Sequence, residues 1–435
     1  MNIHPILEES KADVVIIGAG AAGLMAAREL GKAGKKVTIL EARDRIGGRI
    51  WPLSKDEFGY DAQAGAEYVH GEARLAKYLM KEAGMTLIQT QGDMWNSYGG
   101  DVAINNERIP NQDELHGKLR ELKGDMPIAE FIEKYFPGEK YISLRNSIFG
   151  IVEGYDAADP MRASTFSLRD EWLGGQDWLQ YRLKEGYGAM LKFLESECRK
   201  NGTEIELNKI VREVVIHNGK TNVRTADGNN YEAEKVIVTV PLPILADIKF
   251  TPAIPEKLEA ARKIGYGGVI KILLKFKSRW WINAFGKDFG EMDFIFSNEE
   301  IRTWWTQYPD LIPVLTGWLA GPKSQEFLHS SDEEIIEAGI GSLAKIFKVD
   351  NEYVKKELVH AKVANWPADL YAKGAYSYWT PESEKAQEEL LKPVDNRIFF
   401  AGEAFDRGGE ASTVEGALAS GREAAKKILN SSLTD

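Results

Sequence analysis

The feature that most constrains this chain is the run Asp13-Val-Val-Ile-Ile-Gly18-Ala-Gly20-Ala-Ala22-Gly23. An apolar strand leads into three glycines spaced Gly-x-Gly-x-x-Gly, and a helix-forming stretch comes next. Each glycine has its own task. Gly18 permits the tight turn, Gly20 lets a pyrophosphate approach the backbone, and Gly23 allows close helix–strand packing. The phosphates then meet the positive end of a helix whose first turn holds Ala22. Strand Asp13–Ile17, a helix from about Ala21 to Lys32 and strand Lys36–Leu40 make a βαβ unit. Glu41 closes the second strand, where an acid takes ribose hydroxyls and repels a 2′-phosphate. The chain is therefore expected to bind a dinucleotide, nicotinamide or flavin.

Two later segments belong with this unit. Glu204–Pro241 alternates strand-like runs (Glu204–Leu207, Ile210–Ile216, Asn222–Thr225, Lys235–Val240), with hairpin turns at Asn218-Gly219 and Asp227-Gly228. Arg397–Leu429 reads as a strand at Ile398–Ala401, a glycine-rich loop and a helix from about Val414. With 435 residues, two or three domains are expected. The predicted class is α/β and α+β: a discontinuous Rossmann-like nucleotide domain over 12–80, 190–265 and 385–430, with tails at 1–11 and 431–435. A substrate domain of mixed sheet plus helices is inserted at 81–189 and 266–384.

Composition narrows the function. A net charge of −11 speaks against nucleic acid, which needs clustered Lys/Arg, and weakly favours cationic small molecules. The single cysteine, Cys198, excludes an internal disulfide and any Cys-rich metal site. The histidines lack metal-ligand spacing, so no metal is predicted. No secretory leader, membrane span or lipid anchor is read in the sequence, which predicts a cytoplasmic protein with no membrane partner; a homodimer is compatible.

The residues just after the ribose acid separate the two dinucleotides. Glu41-Ala42-Arg43-Asp-Arg45-Ile-Gly47-Gly48-Arg49 adds a second glycine pair and a guanidinium, and the pattern resembles the fingerprint of the flavin-containing amine oxidase superfamily. Three further stretches are similar to that family. They are Gly65-Ala66-Glu67-Tyr68-Val69-His70-Gly71, then Gly268-Val269-Ile270-Lys271 with Phe276 and Trp280, and finally Gly402-Glu403 with Ser412-Thr413-Val414. The resemblance implies an FAD-dependent oxidation of an amine to an imine, which hydrolyses to an aldehyde while dioxygen becomes hydrogen peroxide. It assigns the cofactor to Gly18, Gly20, Ala22, Gly23, Glu41, Ala42, Arg43, Gly48, Arg49, Gly65, Ala66, the Val211 backbone, Gly402, Glu403, Thr413 and Val414. It also assigns Lys271 to a water beside the flavin. The other reading of Lys271 is a solvated surface charge.

Departures from the family pattern carry information. Where monoamine oxidases bond a cysteine to the flavin, this chain has Gly374-Ala375-Tyr376, so the FAD is expected to be noncovalent. Tyr376 matches one wall of the family's aromatic cage, or is simply a packed core ring, and the opposite wall falls on Thr413. Amino acid oxidases hold a carboxylate with an arginine in the loop that here carries Glu67 and Tyr68. Glu67 suits a second substrate ammonium, or serves the flavin or the fold; His70 touches substrate or caps the turn. Two other functions stay open. One is a related flavoenzyme (L-amino acid oxidase, porphyrinogen oxidase or desaturase type), and the other is a non-catalytic protein like the GDP-dissociation inhibitors.

Overall fold

A computed structural model describes residues 10–98, 101–105, 109–174, 180–407 and 410–431. The strand Ser10–Ile17 lies parallel to Val37–Leu40 on one side and to Asn230–Val238 on the other. Glu204–Glu206 extends the sheet beyond Val37–Leu40, and Ile398–Phe400 joins parallel to the end of Asn230–Val238. The meander Val211–His217, Lys220–Thr225 completes it antiparallel, and Lys249–Thr251 adds the edge. Segments from both ends of the chain thus share one sheet. The central strands read as unbroken apolar runs because both faces are covered, one by the helices Ala21–Lys32, Gly186–Lys200 and Val414–Ser431 and the other by segments that include the helices Pro255–Lys263 and Ser383–Leu390.

The first helix, Ala21–Lys32, packs against the C-terminal helix Val414–Ser431. Gly421 makes the approach possible, since a Cβ there would lie 2.1 Å from the Ala22 carbonyl oxygen. The first strand begins at Ser10, not after residue 11 as expected, because Ser10 and Lys11 pair with Tyr231 and Glu232. The C-terminal helix likewise reaches Ser431. The rest of both expected tails lies outside the described residues.

A second sheet of seven strands runs in the order 358–365, 269–276, 314–320, 303–305, 292–297, 93–98 and 101–104. Its strand Val269–Phe276 is buried on both faces. Ile270, Ile272 and Leu274 pack with Ile335 and Leu343 of the helix Asp332–Phe347. Val269 and Leu273 face the loop that carries Phe58, Ala62 and Ala64. Ser331 starts that helix with a reciprocal capping box to Glu334. A helical layer from Gln112 to Leu173 has its own core around Leu119, Phe131 and Ile148. A small sheet, Tyr68–His70 with Gln180–Leu183 and Leu87–Gln89, connects the layers. No described helix is long and apolar enough to cross a membrane.

Candidate active site

One connected cavity of 2470 Å³ runs between the first sheet, the second sheet and the helical layer. An ordinary ligand pocket reaches ~1,000 Å³, so this space has room for a ligand larger than usual, or for more than one. Its inner end is made of backbone. Gly18 turns at φ +108°, and Gly23 packs so tightly that a Cβ would sit 2.0 Å from the Gly18 carbonyl oxygen. Gly20 bridges to Gly47, whose N–H donates to the Ala19 carbonyl at 2.8 Å, so the two glycine loops form one wall. A Cβ on Gly20 or Gly48 would meet no protein atom nearer than 4.0 or 3.6 Å. Those two glycines therefore leave open space where the backbone faces the cavity, whereas Gly18 and Gly23 are demanded by packing.

Glu41 is buried, and its carboxylate accepts from Ala19 N at 2.7 Å and Arg43 N at 2.9 Å. Burial pushes its pKa upward against those hydrogen bonds and the charges of Arg43 and Arg45. A carboxylate has roughly four lone-pair sites, so capacity remains for two hydroxyls. Ala22, Ala42 and Val211 line the same space. Arg43 lines the space as well, and its guanidinium has a second task. It forms a two-point ion pair with Asp369 (2.6 and 2.8 Å) and lies over Tyr371, which ties the nucleotide loop to the segment after the second sheet.

At the middle of the cavity stand Gly65, Ala66, Gly402, Glu403, Thr413 and Val414. A Cβ on Gly65 would fall 1.9 Å from the Arg49 carbonyl oxygen, so only glycine fits there. Arg49 donates to Glu403 at 2.8 Å and to the Ala375 carbonyl at 2.7 Å, and Ser377 Oγ donates to Glu403 at 2.6 Å. Thr413 lines the cavity, but its hydroxyl caps the C-terminal helix: it accepts from Gly416 N at 3.0 Å and donates to the Glu410 carbonyl.

Lys271 is only 1% exposed, which rules out the surface-charge reading, yet it contributes to the cavity wall. Its Nζ donates to Glu67 Oε2 at 2.6 Å and to the Gly65 carbonyl at 3.1 Å. Burial lowers the lysine's pKa, and Glu67 pulls it back toward the charged form. Burial acts to raise Glu67, but Lys271, Arg182 and Gln307 together hold it below the ordinary carboxylate value. The expectation that Glu67 offers a free acid to a substrate ammonium does not hold. Its other oxygen accepts from Gln307 Nε2 at 3.0 Å and Trp305 Nε1 at 3.4 Å, with Arg182 at 3.6 Å.

Toward the mouth, the Tyr376 hydroxyl donates to the Tyr155 carbonyl at 2.8 Å, and the Tyr155 hydroxyl lies 3.4 Å from His70 Nδ1. Burial holds His70 down at about 4, so it is neutral at physiological pH. Its ring meets the Tyr155 hydroxyl, and the turn that follows is made by Gly71 at φ +59°. Asp156 and Glu171 line the same region, and neither forms an ion pair with a described residue. Burial raises Glu171 to about 7; burial and then the neighbouring Glu171 push Asp156 well above the ordinary range. Among the described residues no cluster of His, Cys, Asp and Glu could hold a metal.

Residues 21–429 match the family described as flavin containing amine oxidoreductase. The chain belongs to this family. Polyamine oxidase 5 of Oryza sativa subsp. japonica is 30% identical, over 96% of this chain and 87% of that protein. Lysine-specific histone demethylase 2 of Homo sapiens is 29% identical over 95% of this chain, which spans about half (53%) of the human protein. Among solved structures, putrescine oxidase bound to putrescine has a TM-score of 0.77 at 20% identity, covering 97% of this chain and 100% of that one. Cyclohexylamine oxidase from Brevibacterium oxydans IH-35A has 0.79 at 19%, covering 97% and 99%. At such identities the likeness speaks to fold alone. The open space at Gly20 and Gly48, the unfilled acceptor capacity of Glu41 and the paired Arg49 and Glu403 fit the flavin dinucleotide of the family.

Sequence reasoning missed four residues of this amine oxidase site: Arg182, Tyr155, Asp156 and Glu171. None sits in a recognisable motif. Arg182 occupies an ordinary-looking strand, and its acceptors (Thr306 O, Gln307 Oε1 and Tyr308 O) lie more than a hundred residues further on. Asp156 follows the helix Ile142–Gly154 and Glu171 lies within the helix Thr165–Leu173, so no local pattern pointed to either.

Proposed function

We propose that this oxidase holds FAD noncovalently and acts on an amine that carries a second cationic group, releasing an aldehyde, with dioxygen as electron acceptor and hydrogen peroxide as the second product. The observation that carries the substrate class is the acid pair Asp156 and Glu171, which has no ion-pair partner among the described residues and shares the cavity with Tyr376 and Lys271. When bound, FAD supplies the hydride-accepting ring that oxidises the carbon bearing the amine.

The protein's own contribution is orientation, desolvation and charge. The glycine loops and the start of the C-terminal helix bind the anionic parts of the cofactor. Lys271 has one N–H uncommitted at the cavity wall, where it holds a water. Tyr376 provides an aromatic face beside the reacting amine, with its hydroxyl tied back to Tyr155. Asp156 and Glu171 receive the distal ammonium, the role expected of Glu67. Arg302 lines the mouth but is paired with Glu153 at 3.2 Å, which argues against a carboxylate-bearing substrate. Ala375 offers no sulfur to the flavin.

The test is an anaerobic panel of diamines, polyamines, matched monoamines, methylated amines, a methyl-lysine peptide and L-amino acids, with flavin bleaching as the readout. Diamines or polyamines should bleach fastest. Fastest bleaching by L-amino acids would refute the reading; fastest bleaching by the peptide would favour the demethylase-like relatives. Acid precipitation should leave the yellow colour in the supernatant, and colour retained in the pellet would refute noncovalent binding.

A further inference from the structure

The Lys271–Glu67 pair is more heavily built than a salt bridge needs. Lysine offers three N–H groups, and two are committed to Glu67 and to the Gly65 carbonyl. Glu67 is held in turn by Gln307, Trp305 and Arg182. Arg182 is fixed by three acceptors, the carbonyls of Thr306 and Tyr308 and the side chain of Gln307. The Trp305 ring also lies 5.3 Å from the lysine nitrogen. The network clamps the small sheet bearing Tyr68–His70 and Gln180–Leu183 onto the second sheet through both the lysine ammonium and Arg182. A carboxylate already paired with two cations and holding two further donors is not a free acid for a substrate cation.

We infer that Glu67 is the positioning residue of Lys271: it keeps the buried ammonium charged and held in place, so that a single N–H remains for a group in the cavity. Glu67 lines the cavity as well, with both of its oxygens already held by protein donors. The inference rests on the reading of Lys271 given above. Its physical basis is that a buried ammonium without a counter-ion sheds its proton, whereas one at 2.6 Å from a carboxylate retains it.

The test uses the purified full chain as Glu67→Gln, Lys271→Met and the double variant. At neutral pH, Glu67→Gln should slow stopped-flow reoxidation by dioxygen roughly tenfold, and the rate should recover as the pH is lowered and the lysine regains its proton. Lys271→Met should be slow at every pH, and the double variant no slower than Lys271→Met. A purely structural Glu67 would give equal loss in both backgrounds and no recovery in acid, which would overturn the inference. Thermal melting supplies a readout independent of turnover. If the two residues stabilise each other, the loss in the double variant should be smaller than the sum of the two single losses; additive losses would overturn the pairing. Wild-type reoxidation by Lys271→Met would instead remove the Lys271 reading and the inference with it, while the melting result would still stand.

Discussion

The inner and outer ends of the cavity are built from different materials. The inner end is backbone from one short stretch: the loops at Gly18–Gly23 and Gly47–Gly48 touch each other and leave space where side chains would block it. The outer end is side chains from scattered segments: Lys271, Glu67, Tyr376, Asp156 and Glu171 line it, and Arg182 holds Glu67 from behind. A backbone site tolerates almost any change except one that adds an atom. A side-chain site depends on charge balance, and a change there alters pH behaviour before it alters the fold.

The largest effect should come from separating the two kinds of glycine within the inner end. Gly23→Ala places a Cβ 2.0 Å from a carbonyl oxygen and should cost ~3 kcal/mol or more of stability, read as a melting temperature several degrees lower and a colourless protein. Gly20→Ala meets nothing nearer than the Gly47 carbonyl oxygen at 4.0 Å and should leave the stability of the flavin-free protein within ~0.5 kcal/mol while weakening flavin binding. Equal stability losses would erase the distinction between packing and ligand glycines.

At the outer end, Glu171 should give the next effect. Its pKa is raised to about 7, so the ligand-free fold is favoured at low pH by this group and loses that contribution as pH rises through about 7. A distal ammonium needs the ionised acid and reverses the preference. The ratio of kcat/KM for a diamine over a matched monoamine should therefore rise as pH passes upward through about 7, and Glu171→Gln should flatten it. A ratio independent of pH in the wild type would return the acid pair to a structural role.

The smallest effect belongs to His70. Burial holds it down at about 4, below the unfolded value near 6.5, so the native state resists the proton that the unfolded chain accepts. Stability should fall as pH drops from about 6.5 toward 4, and His70→Gln should remove that part of the slope in melting measurements. The turnover profile should show no limb near 6.5 from this residue; such a limb, lost in the variant, would mean that His70 titrates in the working enzyme.

The nucleotide half of the fold was legible because its requirements are local. Gly18, Gly20, Gly23 and Glu41 stand at fixed spacing in one βαβ unit, and the observed strands and helix agree with those read from the apolar runs. Alternation also placed Lys271 on the face of Val269 and Leu273, which is the face met by the loop carrying Ala62 and Ala64. Whether that face was wet or dry was not legible, since its cover lies some two hundred residues earlier in the chain.

By itself, the sequence determined where the backbone must turn, which segments share a parallel sheet and which family the motifs belong to, because steric demands on glycine and the period of apolar residues act over a few positions. The tertiary structure decided which charges meet. Glu67 looked like a substrate acid until Lys271, Gln307 and Arg182 were seen to occupy it, and Asp156 and Glu171 carried no signal until they were seen to line the cavity without an ion-pair partner among the described residues. Charge pairing depends on distance and burial between residues far apart in the chain, and neither quantity is carried by local pattern.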